Sequence, residues 1–391
     1  MSRVVQDSGE NRTTRYTIES IRRACDVLEA FRKDGEALRL CDLASRVGLS
    51  KATTFRILFT LEQRGFVEQT GDRAYRLTFC PVKRRKYRFG YGAQSAEFSF
   101  SRTVCESIQR AACEEGIELF LLNNRYSAKT AVRNADLFIR EHVNLVIEFQ
   151  TDDHSASIIS SKLQEAHIPL IAIEIPHPGA TYYGANNYQA GLLGGRYLAK
   201  WAIQNWAGEV DELLLLELSM AGPLPRSRLT GTAAGLREAL PYLKDSQIVS
   251  VDGNGQFEQS MEVVRKYLRK RSSRRVLVAG VNDPSAIGAL RAFEEAGRAD
   301  DCAVMGQNAS AEARSEMRQP RSRLIGSVGY FPERYGDALI PLALDIVQGK
   351  PTPPAVFVHH RLVTRENVDR FYPHDAQRSR SELDCLLLGC G

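Results

Sequence analysis

The sequence predicts an α/β protein in two parts: an N-terminal winged helix-turn-helix, then a larger domain of two doubly wound lobes. Three observations carry this. Residues 15–82 show helical periodicity broken by a glycine turn and closed by a hairpin pattern. From Tyr87 onward, strand-like and helical segments alternate at the period of βα units. The positive charge is confined to the first part: Lys and Arg exceed Asp and Glu by 8 in residues 15–90 and fall short by 3 in residues 91–391, within a total of +5. A chain of 391 residues is also too long for one ordinary core.

Residues 1–14 carry few apolar groups and are expected to be disordered. Thr17 is placed to cap a first helix, along which Ile18, Ile21, Cys25, Leu28 and Phe31 form one stripe, ended by Asp34-Gly35. Leu40, Leu43, Ala44 and Val47 mark a short second helix. Gly48-Leu49-Ser50 turns the chain, and Ser50 caps a third helix from Lys51 to about Arg64. Ile57, Leu58 and Leu61 point to its core side; Ser50, Lys51, Thr53 and Arg56 lie toward its other side and its N-terminus, where a recognition helix meets base edges. Phe66–Gln69 and Ala74–Phe79 read as a hairpin around Thr70-Gly71-Asp72, with Arg73 and Arg76 available to phosphates. Concentrated basic charge is what a phosphate backbone rewards, through counterion release.

The run LCDLASRVGLSKATTFRILFTLEQRGFVE (Leu40–Glu68) and YRLT (Tyr75–Thr78) resemble the DNA-binding domain of the IclR family of bacterial regulators. Thr54 departs from that family's apolar β-branched residue. Its hydroxyl can bond back to the Ser50 carbonyl and leave the helix intact. A winged helix used for protein contacts is the plainer alternative.

Lys83-Arg84-Arg85-Lys86 is a basic linker, either beside phosphate or simply solvated. Strands are then expected at Tyr87–Gly92, Glu118–Leu122, Leu145–Phe149, Leu170–Ile175, Leu213–Leu218, Gln247–Val251, Val276–Ala279, Cys302–Gly306 and Leu324–Val328. Helices are expected at Arg102–Glu115, Ala128–Glu141, Ser155–Ala166, Tyr188–Trp206, Gly231–Leu240, Gln259–Lys270 and Pro284–Ala296. So many strands in residues 87–373 suit two parallel-sheet lobes better than one. Residues 374–391 form a tail.

Several segments of this region resemble the periplasmic sugar-binding-protein superfamily (type I), close to ribose-binding proteins and the sensors of lac-repressor-type regulators. They include FSFSRTVCESIQRAACEEGIEL (Phe98–Leu119), HIPLIAIEIP (His167–Pro176), GANNYQAGLLGGRYLA (Gly184–Ala199) and VAGVNDPSAIGALRAFEEAGR (Val278–Arg298). An Arg-x-x-Gly element stands at Arg228 and Gly231. The resemblance implies a cleft that closes on a ligand at the carboxyl ends of the strands. It places Phe98 and Phe100 as aromatic rings against a sugar face, Glu174 as a hydroxyl acceptor and Arg228 as a forked donor. Asn282, Tyr330 and, by a looser match, Gln256 join them. Asn308 stands where an aspartate is common. Plainer roles compete: Phe98 and Phe100 in the core, Glu174 and Arg228 in interlobe salt bridges, Asn282-Asp283 as a helix cap.

No GxSxG, P-loop, HExxH or dinucleotide fingerprint stands in a suitable context, so no enzyme and no cofactor are expected. The eight cysteines lack zinc spacing, and His177, His359 and His360 have no partner at metal spacing; no metal is expected. No run spans a bilayer and no leader pattern opens the chain, so a cytoplasmic, membrane-free protein is expected. Together these imply a ligand-controlled transcription regulator. Two identical chains would pair as a homodimer and present two recognition helices to a palindromic double-stranded DNA operator, with affinity set by a small-molecule effector, a sugar or sugar derivative. A sensor that only dimerises, and a cytosolic sugar-binding protein without a regulatory role, remain the alternatives.

Overall fold

The structure is a computed structural model and describes residues 18–31, 36–71, 73–78, 87–373 and 375. The chain divides into two compact units, Met1–Lys86 with Ala112–Glu118, and Tyr87–Ala111 with Leu119–Gly391. Residues 1–14, Thr17, Asp34-Gly35, the basic run 83–86 and all but Asp375 of the tail beyond Pro373 lie outside the described residues.

In the first unit, helices α1 (Glu19–Glu29), α2 (Leu40–Val47) and α3 (Lys51–Gln63) precede a small antiparallel sheet. That sheet has the order β1 (Leu38–Arg39), β3 (Ala74–Leu77), β2 (Val67–Gln69). The two-residue β1 pairs Leu38 with Tyr75, a strand too short for periodicity to reveal. The core joins Val27, Phe31, Leu43, Leu58, Leu61, Val67 and Tyr75. The first helix keeps only the C-terminal half of the expected stripe. Leu28 and Phe31 pack on the core beside Val27 and Ala30, whereas Ile18 is 61% and Ile21 58% exposed and Cys25 is exposed. Spacing places residues on one face, and only tertiary packing decides how far along the helix that face is covered.

The second unit has two six-stranded sheets. The first lobe has the order β14-β8-β7-β6-β4-β5, from β4 (Arg88–Ala93), β5 (Glu118–Asn123), β6 (Leu145–Glu148), β7 (Leu170–Ile173), β8 (Thr181–Gly184) and β14 (Ala355–Phe357). The second has the order β10-β9-β11-β12-β13-β15, from β9 (Glu212–Glu217), β10 (Ile248–Asp252), β11 (Val276–Gly280), β12 (Cys302–Asn308), β13 (Leu324–Gly329) and β15 (Arg361–Thr364). Strands β9 to β13 pair in parallel, and β15 closes the edge antiparallel to β13. Since β14 lies in the first sheet between β13 and β15 of the second, the chain crosses between lobes three times.

The helices that position the cleft are α4 (Ser99–Glu114), α5 (Ala128–Arg140), α6 (Asp153–Glu165), α7 (Asn187–Trp206), α8 (Pro223–Ala239), α9 (Phe257–Lys270), α10 (Asp283–Glu295), α11 (Ala311–Arg318) and α12 (Tyr335–Val347). Helix α8 starts two turns earlier than the expected Gly231. Pro223 and Pro225 suggest a loop, yet both sit in its first turn, where a missing N–H costs nothing. Helices α7 and α8 pack backbone to backbone. A Cβ on Gly231 would collide with the carbonyl oxygen of Tyr188, and one on Gly195 with that of Thr232. Their faces cover Leu213, Leu215, Leu277 and Ala303 of the second sheet. At the chain's far end, Asp375 is ion-paired with Arg314 at 2.6 Å and Arg318 at 3.2 Å.

Candidate functional site

A cleft of about 520 Å³ lies between the lobes, lined from both. Seven expected residues reach its wall: Phe98, Phe100, Glu174, Arg228, Gln256, Asn282 and Asn308. Phe98 meets Tyr126 edge-on, ring centroids 5.1 Å apart. Phe100 meets Phe149 and Tyr335 in the same way, at 6.3 and 5.9 Å. Phe98, Phe100, Tyr126 and Phe149 give the first-lobe wall an aromatic, apolar surface.

Tyr330 does not line the cleft. It is 1% exposed and turned into the second-lobe core. Its hydroxyl donates to Gln307 Oε1 at 2.7 Å, and its ring lies 5.1 Å from the Arg228 guanidinium carbon. It therefore supports Arg228 from behind by a cation–π contact.

Glu174 and Arg228 form the interlobe ion pair that stood as the plainer reading, at 2.7 Å with both side chains 8% exposed. Arg228 also donates from Nε to Asn187 Oδ1 and from Nη1 to the Val281 carbonyl at 3.1 Å. Glu174 Oε1 accepts from the Ala185 amide at 3.2 Å and from the Tyr335 hydroxyl at 2.8 Å. The expected role of Glu174 as a double acceptor for ligand hydroxyls is thus narrowed: Oε1 accepts two bonds from the protein and Oε2 one, so that only Oε2, in the cleft wall, keeps acceptor capacity. A buried pair holds only when its remaining lone pairs and protons are met in this way. Gly231 is what lets α8 approach closely enough to present Arg228 there, which gives the Arg-x-x-Gly spacing its physical reason.

Asn308 is different: its side-chain amide has no hydrogen-bond partner among the described residues. It sits at φ 104°, followed by Ala309 at φ 50°. Asp283 holds this strained turn from below. One carboxylate oxygen accepts from the Ser310 amide and the other from the Ser327 hydroxyl, both at 2.6 Å, and Ser327 Oγ accepts from the Ala309 amide at 2.9 Å. Burial raises the Asp283 carboxyl to about 7 against the pull of those bonds. Asn282 caps α10, accepting from the Ser285 amide at 3.0 Å, and donates to the Gly255 carbonyl at 2.9 Å. Gln256 accepts from Gln259 at 3.2 Å.

Sequence reasoning missed Tyr126, Phe149, Thr151 and Gln94, which complete the first-lobe wall. Tyr126 and Thr151 follow the carboxyl ends of β5 and β6, where ligand loops gather in this topology, so strand position was the available signal. Two interlobe hydrogen bonds also cross the cleft mouth: Ser99 Oγ to Glu312 at 2.6 Å and Tyr126 to the Asn254 carbonyl at 3.4 Å.

In the first unit, Gly48 at φ 66° ends α2 in the left-handed conformation. Ser50 then accepts from the Thr53 amide at 3.2 Å, and Thr54 Oγ1 donates to the Ser50 carbonyl at 3.1 Å, the back-bond expected from the sequence. Ser50, Lys51 and Arg56 are exposed and Thr53 is half-buried. Arg76 is ion-paired with Glu68, whereas the Arg73 guanidinium, at the wing tip, has no partner among the described residues.

Residues 89–351 match the family model of the periplasmic binding protein domain. The chain belongs to that family. Residues 20–71 match the IclR helix-turn-helix domain. Both families are non-catalytic. The ribose import binding protein RbsB of Salmonella typhimurium is 22% identical over 271 residues, 68% of this chain and 87% of that protein. The transcriptional repressor IclR of Escherichia coli is 36% identical over 55 residues, 14% of this chain and 20% of that protein. Among solved structures, a galactofuranose binding protein aligns with a TM-score of 0.65 at 16% identity, covering 74% of this chain and 99% of its own. A Bacillus halodurans solute binding protein with bound myo-inositol aligns at 0.64 with 19% identity, covering 74% and 98%. These structural likenesses show the two-lobed fold. Among the described residues no helix is long and apolar enough to cross a membrane.

Proposed function

We propose that this chain is a cytoplasmic transcription regulator that binds a double-stranded DNA operator as a homodimer and whose operator affinity is set by a small polyhydroxylated ligand, a sugar or sugar derivative. One observation carries the reading. The same chain joins a helix-turn-helix, with Lys51 and Arg56 unpaired among the described residues, to a 520 Å³ cleft with aromatic rings on one side and, on the other, the half-buried amide of Asn308, which has no protein partner among the described residues. Rings complement the C–H face of a sugar and an amide serves a hydroxyl as donor or acceptor. The lining contains one cation, Arg228, already neutralised by Glu174, while Glu97, Glu258 and Glu312 add negative charge. That balance favours a neutral ligand over a sugar phosphate.

A thermal-shift screen against free sugars, alditols and sugar phosphates tests this. A ligand that binds only the folded state raises the unfolding midpoint. The expected result is a neutral hit that is lost in Asn308→Ala. A second reading, in which the second unit only pairs chains, draws on the pairing of Glu174 with Arg228 inside the protein. A silent screen with a stable dimer by sedimentation would favour it.

A further inference from the structure

The recognition helix carries an apolar feature that charge arguments do not use. Helix α3 turns Thr54, Leu58 and Leu61 inward. At 3.6 residues per turn the opposite face is Ala52, Phe55, Arg56, Phe59 and Gln63, all exposed. Phe55 is 47% and Phe59 52% exposed, with ring centroids 6.3 Å apart. Two neighbouring phenyl rings in water are a standing incentive to bury apolar surface.

What surrounds them selects the partner. Lys51, Arg56 and Arg64 have no ion-pair partner among the described residues, whereas Arg22, Arg23, Arg46 and Arg76 of the same unit are each paired with a carboxylate. Along the helix Lys51 stands four residues before Phe55 and Arg56 between the two rings, both free of ion pairs among the described residues, with one carboxylate, Glu62, three residues after Phe59. A second copy of this face would bring like charges together. The major groove of duplex DNA offers the complement: phosphates along its walls and, on its floor, thymine 5-methyl groups as apolar contacts.

We propose that Phe55 and Phe59 read thymine methyl groups in the major groove, so that sequence choice in each half-site rests in part on apolar contact. This rests on the DNA-binding reading above. One helical turn separates the two side chains by about 6 Å along the helix. That is roughly two base-pair steps, so paired thymines about two steps apart are expected.

The test uses the full chain. Preferred sites are selected from a random duplex pool, and each thymine of the best site is then replaced by deoxyuridine, which deletes only the methyl. The expected result is a roughly threefold to tenfold weakening at one or two positions per half-site. Phe55→Ala and Phe59→Ala should each lose discrimination at the thymine that ring reads, and the double variant at both, with unchanged thermal midpoints. Full-strength binding of the wild type to every deoxyuridine duplex would overturn the proposal while leaving DNA binding intact. Loss of self-association in the Phe→Ala variants with unchanged discrimination would give the patch to a second copy instead. Failure to enrich any sequence would overturn both this proposal and the DNA-binding reading.

Discussion

Glu148 ends β6 with no exposed surface. Asn124 donates to Oε1 at 2.7 Å, and Oε2 has no partner among the described residues. Burial raises its carboxyl to about 8 from an ordinary 4.5, the Asn124 bond opposing only part of the rise. Between those two values the native state holds a proton that the unfolded chain releases, so stability falls as pH rises, by up to about 1.4 kcal/mol per pH unit. From pH 5 to 7.5 the loss from this one group is about 3 kcal/mol. Glu148→Gln keeps the acceptor facing Asn124 and removes the titration. The variant should therefore gain on the wild type by about 3 kcal/mol more at pH 7.5 than at pH 5, on the order of 1 M in urea midpoint. Urea melts followed by far-UV circular dichroism at both pH values measure this. Asp283 titrates in both proteins and cancels from the comparison. An equal offset at the two pH values would mean that Glu148 is not protonated in the native state across this range.

Gly231→Ala should cost about 3 kcal/mol, the upper end for overpacking, because the obstacle is a backbone carbonyl; ligand binding should weaken with it as Arg228 is displaced, and urea melts with calorimetry read both. Arg228→Ala should destabilise the second unit by roughly 3–5 kcal/mol by leaving Glu174 buried and unpaired, seen as a lowered thermal midpoint. Ser50→Ala should cost the first unit about 1 kcal/mol through its lost cap, whereas Thr54→Val should stay within about 1 kcal/mol, since it removes a redundant bond to a carbonyl that Thr54 N–H already satisfies; denaturation separates the two.

The parts legible in the sequence are those set by local chemistry. The Gly48 turn, the Ser50 cap and the Thr54 back-bond each depend on residues within four positions of one another. The long strands and helices of the second unit announce themselves by period. What stayed hidden depends on distant partners. Glu174 is held by Arg228, 54 positions away, and by Tyr335, 161 positions away, so no local pattern marks it as engaged. Tyr330 aligns with a cleft position yet turns inward beneath Arg228. The three- and four-residue strands β8, β14 and β15 are too short to show alternation, although β14 and β15 record two of the crossings between lobes. The glycines of α7 and α8 weaken a helical reading; their purpose emerges only when the two backbones meet.

The proposed function requires that ligand and DNA binding be coupled. It is tested by titrating the selected duplex with the full chain, with and without saturating amounts of the sugar that raises its thermal midpoint. A change in DNA affinity of about fivefold to 150-fold is expected, matched by an equal change in sugar affinity when DNA is present, and lost in Asn308→Ala. Unchanged DNA affinity, with both ligands demonstrably bound, would contradict it.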